Sequence, residues 1–175
     1  LLTPSSLFAH GIHLSDRELG RLSEAGSAVV HCPTSNNFLG SGLFRLHHTT
    51  EGDHPVKVGV GCDVAGGMSY SMFDTLRDAF TVSQLVGSRI SAHEAFYWAT
   101  LGNARLLGTD EEVGTLEAGK YADLVVLDPC ATPLMAERHA LSHDLHDVLF
   151  ALMILGDDRA VAETWVAGDP VKPRS

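Results

Sequence analysis

Short apolar runs alternate with amphipathic stretches over residues 6–86, which predicts strands alternating with helices. Residues 6–10 form an apolar run closed by Gly11 and predict a short buried strand. Ser15 and Glu18 stand at capping-box spacing between Leu14 and Leu19, a staple pair, and so mark a helix start. Leu19, Leu22 and Ala25 share one face of that helix, and Gly26 stops it. Residues 28–32 predict a second strand ended by Pro33, followed by a polar, glycine-bearing loop over 34–42 and a short helix over 43–50. Residues 55–63 predict a Val-rich third strand with Asp63 at its C-terminal end. Gly66-Gly67 then turns the chain into a helix over 71–86, whose buried face carries Met72, Leu76, Ala79 and Phe80.

Three strand–loop–helix units in succession predict a parallel sheet with helices packed outside it. In such folds ligands bind beyond the carboxyl ends of the strands. His10, His31 with Thr34-Ser35-Asn36, and Asp63 all follow strands, so one rim collects polar chemistry. Past residue 90 the pattern changes. Ser91 and Glu94 form a second capping box, with Ala95, Phe96 and Ala99 on the apolar face and Gly108 as a stop. Residues 113–120 are turn-rich, 122–128 predict a strand, 145–155 read as helical or extended, 162–167 predict a last strand, and 168–170 a turn. Strands without long intervening helices suggest a small β module, which places a boundary near residue 108: a barrel-like part over 1–108 and a β module with an associated helix over 109–175.

Composition narrows the function classes. Of 175 residues, 45% are hydrophobic and 19% charged, enough for a core. The net charge of −10 opposes binding to a nucleic-acid backbone or an anionic membrane surface. No apolar run is long enough for a membrane span, and no signal-peptide pattern is present. Cys32, Cys62 and Cys130 are sparse and odd in number, as expected of reduced thiols in a cytoplasmic protein. The chain starts at Leu1 rather than Met and runs at once into Leu7-Phe8-Ala9, so it reads as a piece of a larger protein.

Several residues are candidates for chemistry. Asp63 ends a strand before a glycine pair, where a carboxylate can hold a metal and move a proton, or simply cap the next helix. His10 and His31 can serve proton transfer or be hydrogen-bonded core histidines. Ser35 and Asn36 also read as turn chemistry. Gly40-Ser41-Gly42 lacks the lysine and spacing of a phosphate loop. His139, His143 and His146 would share one face of a helix, with Asp144 and Asp147 interleaved, as a solvated face or a metal site. Cys62 beside Asp63 could be a ligand or a nucleophile, and a strand cysteine without a basic neighbour is usually just buried.

Three segments taken together, Ala9-His10-Gly11, His31-Cys32-Pro33-Thr34-Ser35-Asn36 and Gly61-Cys62-Asp63-Val64-Ala65-Gly66-Gly67, resemble the amidohydrolase superfamily. The segments 38–44 and 69–72 narrow the resemblance to the guanine deaminase family, as does Gly156-Asp157-Asp158-Arg159. Residues 99–104 and 114–124 are similar to the superfamily's C-terminal signature. The resemblance implies an α/β chain holding the last three β/α units of a (β/α)8 barrel plus the C-terminal part of a small β-sandwich domain. It implies a zinc-dependent hydrolase that converts guanine and water to xanthine and ammonia. Asp63 then matches the metal ligand and proton shuttle, and His10 the residue that contacts the attacking water or the substrate. The complete enzyme is expected to be a homo-oligomer with a small-molecule purine substrate.

Two departures from the family pattern stand out. Cys62 replaces a customary Thr before the Asp. The family's HxH of strand one and HxxE of strand five are read as absent from this chain, which leaves Asp63 as the one recognisable metal ligand where catalytic zinc uses three. The chain is therefore expected to be inactive alone. The competing readings are another aminohydrolase or chlorohydrolase of nitrogen heterocycles, and a non-catalytic binding module on the same scaffold.

Overall fold

The computed structural model describes residues 1–172. Both capping boxes form. In α1 (Asp16–Ala25) the Ser15 hydroxyl accepts from the Glu18 backbone N–H, while the Glu18 carboxylate accepts from the Ser15 N–H at 2.8 Å. The same exchange links Ser91 and Glu94 at the start of α5 (Ala92–Tyr97). These residues satisfy helix N–H groups that have no carbonyl partner within the helix.

Strands β1 (Leu7–Ala9), β2 (Ala28–His31) and β3 (Lys57–Val60) form one parallel sheet in that order. Ala9 pairs with Val30, and His31 with Val60. Helices before and after β3 cover the sheet with Leu19 and Leu22 from α1, Leu76 and Ala79 from α4 (Met72–Leu85), and Ala95 from α5, packed with Val29 and Val60. Strand β1 is not buried as the apolar run predicts: Leu7, Phe8 and Ala9, whose side chains alternate between the two faces, are all exposed at this edge of the sheet.

The segment after Pro33 is a helix, α2 (Pro33–Phe38), rather than a loop. Proline at the first helical position has its φ already set and lacks an N–H that would be unpaired there anyway. The Asn37 amide donates to Asp78 of α4 at 3.1 Å, tying α2 down. The next helix, α3, spans Leu46–Glu51, later than the pattern predicts. On α4, Phe73, Leu76, Ala79 and Val82 are the buried apolar residues, while Met72 and Phe80 are only partly covered.

After α5 the chain kinks over Trp98–Gly102, where Thr100 leaves helical geometry at φ -124° and ψ -105°, and continues as α6 (Asn103–Leu107). Asn103 treats β3 as a missing strand would. Its Oδ1 accepts from the Val60 N–H at 3.1 Å, and its Nδ2 donates to the Val60 carbonyl at 2.9 Å. Gly59 permits this, since a Cβ there would lie 2.5 Å from Asn103 Oδ1.

The second sheet is antiparallel: β4 (Leu124–Leu127), β5 (Val161–Val166) and β6 (Asp169–Lys172). Residues 169 and 170, expected in a turn, are paired in β6, and the turn is Ala167-Gly168. Two helices lie between β4 and β5. In α7 (Pro133–Ala140) Thr132 caps and Pro133 starts the helix, which the sequence pattern did not reveal. The apolar stretch 145–155 is α8 (Leu145–Leu155), capped by Asp144. Neighbouring residues of α8 serve different cores: Met153 packs with Leu76 and Ala79, and Leu152 with Phe73, Met135 and Ala160. Arg77 of α4 closes its far end, with Nε donating to the Ile154 carbonyl at 2.8 Å and Nη2 to that of Gly156 at 3.0 Å.

Asn103→Leu should destabilise the chain by several kcal/mol, because two buried backbone groups of Val60 lose their partner at about 1–3 kcal/mol each. Urea unfolding measures this. An unchanged midpoint would mean that the edge of β3 does not depend on Asn103.

Candidate active site

The parallel ladder runs past the strand ends. The His10 N–H donates to the Val30 carbonyl at 2.9 Å, and the Gly61 N–H to the His31 carbonyl at 3.0 Å. This carries His10 and the 61–63 segment to the same rim of the sheet. Both then leave it in left-handed conformations, His10 at φ 71° and Asp63 at φ 47°. Such backbone costs about 1–3 kcal/mol for a residue with a Cβ and concentrates at functional sites.

Across the rim, His10 Nε2 and Asp63 Oδ2 face each other at 3.8 Å, with side chains 43% and 37% exposed. Both groups can therefore meet a solute. On its other side His10 Nδ1 lies 2.8 Å from Asn36 Oδ1. Asn36 and Ser35 are buried in α2, and Thr34 Oγ1 donates to the Cys62 carbonyl at 3.0 Å. Asn36 thus does more than turn chemistry. Gly66 makes the crowding possible: a Cβ there would sit 2.6 Å from Asp63 Oδ2 and 2.8 Å from Ser35 Oγ. In the sequence the paired glycines read only as a turn into the next helix, and the side chains they admit are not legible there.

The other candidates separate from this pair. His31 is 3% exposed and stacks on Phe44 with ring centroids 4.6 Å apart, so it lies under the rim rather than on it. Burial holds its imidazole down to a pKa of about 3. Burial likewise pushes the Cys32 thiol up, against the His10 backbone N–H that lowers it, so Cys32 is no ready nucleophile. All three cysteines are free, and Cys62 is partly buried. His139, His143 and His146 do not share a helix: His139 lies in the last turn of α7, His143 between helices, and His146 in α8. The chain does contain one His-x-x-Glu spacing, His48 to Glu51 on α3, but His48 meets Asp16 at 3.2 Å and Glu51 meets His47 at 3.0 Å.

The amidohydrolase family pattern matches residues 1–171. The chain belongs to the amidohydrolase family. Among known amidohydrolases, guanine deaminase from Escherichia coli is 48% identical over 169 residues, a match covering 97% of this chain and 38% of that enzyme. Mouse guanine deaminase is 39% identical over 184 residues, covering 100% of this chain and 40% of that protein. The chain thus spans about two fifths of the relatives it matches. The solved E. coli guanine deaminase superposes with a TM-score of 0.94 over 99% of this chain and 40% of its own. A Clostridium acetobutylicum guanine deaminase with guanine in its active site has a TM-score of 0.77 at 30% identity, over 94% of this chain and 38% of its own. An adenosine deaminase from Xanthomonas campestris with bound zinc reaches 0.82 at 28%, over 99% and 38%. The fold is therefore that of amidohydrolases.

The state of His31 has a pH signature. It stays neutral in the fold down to about pH 3 but protonates in the unfolded chain near 6.5. The unfolded state then binds the extra proton, so stability is full above pH 6.5 and falls as pH drops toward 3, by about 1.4 kcal/mol per pH unit. Unfolding free energy measured between pH 7 and 5, above the ordinary carboxylate range, should show this slope. His31→Phe, which keeps a ring against Phe44, should flatten it; an equal slope in both proteins would remove His31 as its source.

Proposed function

We propose that this chain carries part of the active site of a guanine deaminase, which turns guanine and water into xanthine and ammonia. The carrying observation is the His10–Asp63 pair, two solvent-reachable titratable groups facing each other across one sheet rim. The identity to guanine deaminases and the guanine bound in one structural neighbour support the substrate.

The reaction forms a C–O bond at the amino-bearing carbon of the purine and breaks its C–N bond. Asp63 takes a proton from the attacking water and passes it toward the leaving amine, which departs as ammonia. His10 orients the water or the purine ring and polarises the bond being attacked. A resident divalent metal, zinc in this reading, would lower the pKa of water toward neutrality. Asp63 fits as one of its ligands, having an exposed carboxylate and, among the described residues, no hydrogen-bond donor on its side chain other than His10 at 3.8 Å. A catalytic zinc uses three protein ligands, so this reading requires further donors from outside the chain, and the chain alone is expected to be inactive.

In the same reading, residues 1–108 are the last three β/α units of a (β/α)8 barrel. Residues 109–175, of which 173–175 lie outside the described residues, are the C-terminal part of the small β-sandwich with its associated helix. The two sheets fall on either side of that boundary, which supports it. The reading carries a homo-oligomeric, cytoplasmic enzyme; three free thiols accord with a reducing compartment. Among the described residues no helix is long and apolar enough to cross a membrane.

A graft tests the proposal: residues 1–171 replace the matching stretch of E. coli guanine deaminase, and ammonia release from guanine is followed. The graft should turn over guanine. His10→Asn should lower kcat by about 10²–10⁴-fold, the range of a positioned acid–base group, Asp63→Asn by more, and Cys62→Thr hardly at all. Near-normal kcat in Asp63→Asn would end the ligand and shuttle assignment. A graft inert on guanine but active on another heterocycle would keep the chemistry and replace the substrate.

A further inference from the structure

His10 has two ring nitrogens, and the functional reading uses only Nε2. The other, Nδ1, lies 2.8 Å from Asn36 Oδ1. Asn36 is 1% exposed and its neighbour Ser35 0%, so packing within α2 holds this amide in place. Its Nδ2 is buried and has no partner among the described residues, which makes the contact to His10 the amide's one side-chain hydrogen bond. Pro33 at the start of α2, the bond from Thr34 to the Cys62 carbonyl and the link from Asn37 to Asp78 fix the helix on which Asn36 sits.

A neutral imidazole has one N–H and one lone pair, and the hydrogen bond at one nitrogen decides which nitrogen carries the proton. An amide oxygen facing Nδ1 accepts from it and leaves Nε2 with the lone pair. That lone pair then faces Asp63 Oδ2 across 3.8 Å. Two acceptors at that separation repel when nothing lies between them, and both are satisfied when a donor, a water or an N–H, bridges them.

We propose that Asn36 is a positioning residue that holds His10 in its Nδ1–H tautomer, so that Nε2 and Asp63 together form a two-acceptor cradle for a water or amino N–H. This rests on the reading of His10 and Asp63 as the site. It does not require the substrate to be guanine. Reversal of the Asn36 amide would give the opposite arrangement, with Nε2–H donating to Asp63 and no cradle. The two arrangements differ in an observable that does not depend on activity.

The experiment is a long-range 1H–15N correlation spectrum of the 15N-histidine-labelled chain at about pH 8, above the ordinary imidazole range. His10 is assigned by the signals that His10→Gln removes. The unmodified chain should show His10 as Nδ1–H. Asn36→Leu, which removes the acceptor at similar volume, should shift it toward Nε2–H, the form an imidazole side chain prefers in water. Asn36→Asp, which keeps an acceptor oxygen, should restore Nδ1–H. Backbone amide spectra of each variant separate loss of the tautomer from loss of the fold. Nε2–H in the unmodified chain overturns the proposal without any variant, and an unchanged tautomer in a folded Asn36→Leu overturns it as well. A graft that proves to act on another heterocycle leaves this measurement intact, so the two failures are distinguishable.

Discussion

The parallel register of three short strands governs the rest of the molecule. Strands β1, β2 and β3 end at one level because Ala9 pairs with Val30 and His31 with Val60. The ladder bonds that continue to His10 and Gly61 leave the chain no freedom until it has reached the rim. There His10 and Asp63 turn away in left-handed conformations, and that turn brings their side chains face to face. A register slip of one residue in either outer strand would exchange the side of the sheet on which every following side chain emerges. The site is thus a property of strand pairing first and of side-chain chemistry second.

A second constraint joins the two sheets. Helix α8 lies in the sequence between the strands of the second sheet, yet it buries Met153 in the core of the first. Its adjacent residue Leu152 packs in the other core with Phe73, Met135 and Ala160. A helix with apolar residues on most of its circumference needs cover on more than one side, and here the two cores provide it. Arg77 completes the junction by donating to carbonyls at the end of α8 that have no helical partner. The proposed boundary at residue 108 therefore separates the two sheets but not their packing.

Local rules made much of this legible in the sequence. Both capping boxes, the glycine stop of α1 and the alternation of strand and helix depend on neighbours within a few residues, and each is found. Longer-range effects were not legible. Pro33 read as the end of a strand, but it equally starts a helix, and only packing against α4 selects that role. His31 read as a rim residue because it ends a strand, but alternation turns it inward onto Phe44. Asn36 and Asn103 both looked like turn or signature residues, though one contacts a histidine 26 positions away and the other a strand 43 positions away. Nothing in local spacing encodes such partners.

Lone-pair use separates the carboxylates of this chain into structural and chemical ones. Asp144, His146 and Asp147 place potential ligand atoms within 4.8 Å of one another, which on composition alone makes them a metal candidate. Their oxygens already serve the start of α8: Asp144 Oδ1 accepts from the Asp147 N–H at 2.9 Å, and Asp147 Oδ2 accepts from the His143 N–H at 3.0 Å. The bond from His143, with Arg138 nearby, holds the Asp147 carboxyl below its ordinary range, as expected of a group stabilised in its charged form by the fold. Withdrawing these oxygens to bind an ion would leave the Asp147 N–H of the first helical turn and the His143 N–H before it without partners. Asp63 caps nothing. Among the described residues its carboxylate meets only His10, at a distance too long for a hydrogen bond, and it stands on a strained backbone beside a glycine that makes room for it. A carboxylate left free of capping duty on a left-handed backbone is the physical ground on which the proposed function prefers Asp63 to the acidic cluster.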